Sequence, residues 1–266
     1  FGAAAPAGGV QVKVKSSQPG VVQLSPNNTV APADSILLNL AAGQSFLSFI
    51  VSGVDTVTSG APAIVASADG YTDGNGVVTV VRPSLDLKMP MSVSYFVPTS
   101  TTTATVLNQF QARIGIPNSN NTGLSQEQAL RPGAATRTVS ITNSNSAVGN
   151  LFFRGSGPVQ SGTVQIAANS ARSPSDTTSN GVGFLATAAG TTTLNATTPG
   201  FVVVPSATQT VTVTTPTISV NPITVGAGLQ VQQSGFLGAA QHGGVQVTLT
   251  SSDPSKVLLS TSATAA

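Results

Sequence analysis

Side chains able to do chemistry are scarce. The 266 residues include one histidine, His242, one glutamate, Glu127, no cysteine and no tryptophan. Without a thiol there is no cysteine nucleophile, disulfide framework or zinc–thiolate centre. A lone histidine excludes a multi-histidine metal site within one chain. His242 precedes Gly243-Gly244, so a loop position is expected for it. Glu127 would need a second carboxylate at a fixed separation to hydrolyse a glycosidic bond, and no aspartate can be placed beside it from sequence. Residues 69–76 present Asp69, Asp73 and Asn75, oxygen donors of the kind calcium takes. They lack the alternating acids and closing glutamate of the EF-hand loop, and the aligned stretch after Pro199 has no acid. Asp-Gly and Asn-Gly favour tight turns through positive φ, so a turn is the simpler expectation. No metal or cofactor is assigned, and no enzyme is expected.

The composition narrows the class further. Ten Lys and Arg stand against eight Asp and Glu, a net charge of +2, and only 7% of residues are charged. Ordinary domains have roughly 25%. A surplus of two charges cannot make the clustered basic face that nucleic acid requires. Hydrophobic residues make up 40% of the chain, too many for the disordered class. No apolar run approaches the roughly 18 residues of a membrane helix. Val, Ile and Thr favour pleated surfaces because a branched Cβ packs well there. The 27 Gly and 17 Pro punctuate the chain too often for long helices. The fold class is therefore all-β. With 32 Ser and 34 Thr and few charges, an extracellular or cell-surface location is expected. Phe1 is no start methionine and no secretory leader is visible, so a mature or excised piece is expected.

Internal self-similarity organises the chain. Gly8-Gly9-Val10-Gln11-Val12-Lys13-Val14-Lys15-Ser16-Ser17-Gln18-Pro19 returns near the end as Gly243-Gly244-Val245-Gln246-Val247-Thr248-Leu249-Thr250-Ser251-Ser252-Asp253-Pro254. A more diverged copy between them, Ile141-Thr142-Asn143-Ser144-Asn145, aligns with Val14 to Gln18 and with Leu249 to Asp253. In the same ungapped register Leu24 falls on Leu151 and on Leu259. A second block, Ala66-Ser67-Ala68-Asp69-Gly70-Tyr71, matches Ala196-Thr197-Thr198-Pro199-Gly200-Phe201. A proline and an alternating strand follow each: Pro83-Ser84-Leu85-Asp86-Leu87 and Pro216-Thr217-Ile218-Ser219-Val220. These prolines mark module junctions, since Pro stiffens a linker and cannot donate to a central ladder.

Short strands with turn signals every 8–12 residues or so suggest two packed sheets. The Val-x-Val/Leu-x-Ser-Ser-Asp-Pro-Ser-Lys-Val turn, with the Ala-Ser-Ala-x-Gly-Tyr corner, resembles bacterial immunoglobulin-like (Big-type) repeats of large surface proteins. The resemblance implies seven-stranded β-sandwiches strung in tandem on a cell surface or extracellular fibre. Residues 1–83 would be a module without its leading strand, because Phe1 aligns with Phe236. Residues 84–215 would be a complete module with an insertion near 98–132, in which Ser125-Gln126-Glu127-Gln128-Ala129-Leu130 is expected to form a helical turn or two. Residues 216–266 would begin a third module.

Two readings of the ends follow. The chain is an excerpt of a longer array, or it is the repeating unit of a filament. In the second, residues 216–235 of one copy complete the strand-deficient first module of the next. Interface candidates are then Phe1, Val10 and Val12 on the receiving side and Ile218, Val220, Leu229 and Val231 on the donating side. The expected function is that of a non-enzymatic structural protein whose partner is itself or its neighbouring repeats. An adhesin or carbohydrate-binding module is the alternative, with a glycan or cell-surface ligand meeting the insertion. Tyr71 and Phe201 are expected to pack at module rims. Of Phe152 and Phe153, one should face inward and one outward. Lys13 and Lys15 protect a polar strand face.

Overall fold

Val10, Val12 and Val14 alternate with Gln11, Lys13 and Lys15. In the computed structural model this run is a strand, β1 (Val10–Ser16), burying Val12, Val14 and Ser16 and exposing both lysines. The structure describes residues 4–55, 57–88, 107–214, 217–238 and 246–262, so Phe1, Tyr95, Pro216, His242, Val245 and the stretch 100–103 lie outside the described residues. The fold is essentially all-β, 44% strand and 3% helical, in several sheets.

Up to Val81 the strands after β1 are β2 (Val22–Ser25), β3 (Ser35–Leu40), β4 (Ile50–Gly53), β5 (Ser59–Gly60), β6 (Ala63–Ser67), β7 (Gly74–Val77) and β8 (Val80–Val81). They form a sheet in the order β3-β1-β6-β7 and the two-stranded pairs β2-β4 and β5-β8. The next region contains β9 (Ser84–Lys88), β10 (Asn108–Pro117), β11 (Leu124–Glu127), β12 (Arg137–Asn143), β13 (Gly149–Phe153), β14 (Ser161–Ile166), β15 (Val182–Ala186), β16 (Gly190–Thr197), β17 (Val202–Val203) and β18 (Thr208–Val213). One sheet runs β13-β15-β10-β9-β17, with β11 on the edge of β10, and the other runs β14-β12-β16-β18. Last come β19 (Ile218–Val220) and β20 (Gly235–Leu237), which among the described residues pair with each other alone.

The register that aligns Val14 with Ile141 also aligns both ends of β1 and β12, Val10 with Arg137 and Ser16 with Asn143. The two strands have the same burial pattern along their length. In that register Val22, which opens β2, falls on Gly149, which opens β13. β1 and β12 each sit second in a four-stranded antiparallel sheet, Val14 paired with Ala66 and Ile141 with Ala196. Among the described residues apolar side chains gather in two clusters. One, from Ala5 to Ile64, centres on Val12, Val14, Val22 and Leu24. The other draws Leu85, Phe110, Ile114 and Phe184 from one sheet of the second region and Ile141, Ile166, Leu194 and Val211 from the other. Each large aliphatic or aromatic side chain fully buried there contributes roughly 1.5–3 kcal/mol relative to exposure.

Two expectations need correction. The stretch expected to turn helically forms no helix: Ser125–Glu127 belong to β11, whose Gln126 and Glu127 pair with Ile116 and Gly115, and 128–130 lie outside any strand. Pairing gives the edge of β10 a ladder partner, and a Cβ at residue 115 would collide with the Gln126 backbone. Gln246 to Thr250, the match to β1, form no strand. Val247 is 40% exposed and Leu249 61%, where Val12 and Val14 are 1% and 0%. A strand is held by its neighbours, and among the described residues no strand pairs with 246–250.

The turn beyond that strand is present in all three segments. Val21 and Val22 donate to the Gln18 carbonyl, Val148 and Gly149 to that of Asn145, and Lys256 and Val257 to that of Asp253. The amide of Gln18 donates to Ser16 Oγ and that of Asp253 to Ser251 Oγ. These are local bonds of the kind Ser, Asn and Asp supply at turns.

Candidate functional site

Asp86 sits between Leu85 and Leu87 on β9, directly across the ladder from Arg113 on β10. β11 brings Glu127 to the same place, and an isolated bridge to Arg113 brings Arg172. Arg113 grips Asp86 with two hydrogen bonds, Nε to Oδ1 at 2.8 Å and Nη2 to Oδ2 at 2.7 Å. Its Nη1 donates to Glu127 Oε1 at 2.9 Å. Arg172 closes the cluster, with Nε donating to Glu127 Oε2 at 2.5 Å and Nη2 to Oε1 at 2.9 Å. The Asp86 side chain is only 4% exposed, and Ser206 Oγ also donates to it, at 3.5 Å.

The electrostatics suit fastening, not proton transfer. Burial alone would lower the Arg113 pKa, but its hydrogen bonds and attraction to Asp86, then to Glu127, raise it. The Arg172 hydrogen bond holds Glu127 below the ordinary carboxylate range against the opposing effect of burial, and Arg113 adds to this. Two acids and two arginines balance, and both Glu127 oxygens and both Asp86 oxygens are engaged. A general acid would need its carboxyl pKa raised toward neutrality, the reverse of what Glu127 shows. The cluster ties β11 to β9 and β10.

The other sequence candidates fall apart in space or into turns. Asp69 and Gly70 form a turn closed by the Tyr71 amide on the Ala68 carbonyl at 3.1 Å, with Gly70 at φ 79°. Gly200, at the matching corner, has φ 85°. Asp69 and Asp73 are exposed, and Asn75 lies on β7 paired with Val65. Among the described residues no group of three or more His, Cys, Asp and Glu gathers as for a metal ion. No described helix is long and apolar enough to cross a membrane. Phe152 and Phe153 are both half-buried, and Phe153 packs on the core of the second region. With Leu107, Arg154 and Thr178 they line a shallow pocket of about 420 Å³.

Of the interface candidates, Val12 is buried in the first region's own cluster and Val10 packs against it, half-buried. Ile218, Val220, Leu229 and Val231 are 55%, 50%, 74% and 52% exposed. Two features were missed from sequence. The buried acid was signalled by its place between two leucines on an apolar strand. Val51 was not signalled: it stands opposite Leu24 and so shares its face, yet it is 40% exposed while Leu24 is 0%.

No family model matches the chain, and no curated protein matches it.

Proposed function

We propose that the chain is a non-enzymatic structural protein of the bacterial cell surface or an extracellular fibre. On this reading it is built of immunoglobulin-like β-sandwich modules in tandem and associates with copies of itself. The observation that carries it is the paired arrangement of β1 and β12, with the same burial pattern, neighbours and following turn in one fixed register. Two such units with separate apolar clusters, joined through Pro83, suit a protein that sets distance and bears load. The fully engaged carboxylates of Asp86 and Glu127 support a non-catalytic role. Sedimentation velocity and negative-stain electron microscopy of the purified chain test it. Elongated assemblies growing with concentration are expected, and a monomer at every concentration would sink self-association.

A further inference from the structure

β4 and β15 are counterparts: Val51 lies opposite Leu24 as Phe184 lies opposite Leu151. Their outer edges differ. β15 is covered by β10, with Asn108 opposite Phe184 and Phe110 opposite Val182, and β10 in turn pairs with β9. β4 has no described strand on that side. The pair that covers β15 has a likeness within the same chain. β19 and β20 pair Ile218 with Leu237 and Val220 with Gly235, as β9 and β10 pair Leu85 with Ile114 and Leu87 with Ala112. This ribbon exposes Ile218, Val220, Phe236 and Leu237 and packs into neither apolar cluster.

We propose that the ribbon of residues 218–237 in one copy docks along β4 of a second copy, placing Val231 opposite Val51. This rests on the self-association reading above. The interface exists once already inside the chain, as β10, backed by β9, against β15, and transfer of that register puts Val231 where Asn108 stands. Neither surface carries the charges by which proteins blunt exposed edges. Residues 217–238 contain no Asp, Glu, Lys or Arg, nor do residues 35–54, whereas β1 carries Lys13 and Lys15. A two-stranded ribbon laid on an open edge buries on the order of 1,000 Å² in total, the low end for a specific interface. Association is therefore concentration-dependent, with backbone ladder bonds supplying much of the contact.

The chain has no cysteine, so introduced thiols report without background. Full-length Val51→Cys chains are mixed with Val231→Cys chains and oxidised, beside a control pairing Leu37→Cys with Val231→Cys. Leu37 is 61% exposed on β3. The expected result is a linked heterodimer in about tenfold excess over the control, lost when Val220→Asp is added to the Val231→Cys chain. Melting temperatures of the variants confirm folding, since Val51, Val220 and Val231 are all exposed. If light scattering shows assemblies but the linked product stays at control level, this docking is overturned while self-association stands. If a doubly substituted chain links only within itself, the second copy is overturned as occupant. If the unsubstituted chain stays monomeric throughout, the reading beneath the proposal fails as well.

Discussion

Leu24 and Leu151 occupy the same position in matching strands and both are fully buried, yet the residues opposite them differ. Phe184 is buried at 0% exposure beneath the second region's sheets, whereas Val51 is 40% exposed. A second exchange accompanies it: Gly149 stands where the first region has Val22, and a Cβ at residue 149 would collide with the Phe184 ring. The second region thus moves volume across the ladder and covers it with β10, while the first keeps both residues small and has no described strand on the outer edge of β4. One repeated pattern lies beside a covered edge in the second region and beside an edge with no described partner in the first.

Substitutions at these paired positions should separate the two regions. Phe184→Ala should cost about 3–5 kcal/mol, as for other buried aromatics, and Val51→Ala no more than roughly 0.5 kcal/mol. Denaturant midpoints read both, and equal losses would erase the distinction. Arg113→Met strands the buried Asp86 carboxylate. The loss should fall somewhat below the ~3–5 kcal/mol of a fully buried pair, because the Arg113 side chain is 22% exposed. Adding Asp86→Leu should recover most of it, and a failure to recover would show that the pair does more than balance charge.

Glu127→Gln should cost roughly 1 kcal/mol at neutral pH, partial exposure weakening its charged hydrogen bonds. The Glu127 pKa is depressed in the folded chain, so its contribution is present above the ordinary value of 4.5 and lost as pH falls through the folded value. Wild type and variant should therefore converge in melting temperature on acidification. A gap constant with pH would contradict the assignment. Asp55, 37% exposed, meets Arg131 at 3.2 Å and Arg137 at 3.5 Å across the two regions. Asp55→Ala should cost less than about 1 kcal/mol, and calorimetry should show the two regions unfolding further apart in temperature.

Much of the fold was legible along the chain. The alternation of Val10 to Lys15 marked a strand with one buried face, and the alignment of Val14 with Ile141 located its counterpart. The insertion was harder. Ser125 to Leu130 has no apolar alternation to mark an edge strand, and only the close approach that Gly115 allows reveals β11. The charge cluster was hidden for a related reason. Asp86, Arg113, Glu127 and Arg172 are far apart in sequence, and pairing registers alone bring them together.

The turn after β1 separates what the residues decide from what the packing decides. Its hydrogen bonds recur at Gln18, Asn145 and Asp253, because they span only a few residues and draw on the local preferences of Ser, Asn and Asp. The strand before it does not recur. Val12 and Val139 are buried in paired strands and Val247 is exposed outside any, because a ladder and a covered face depend on distant segments arriving on either side. Turn chemistry and all-β character were thus written in the sequence, and closure of each core was left to its neighbours.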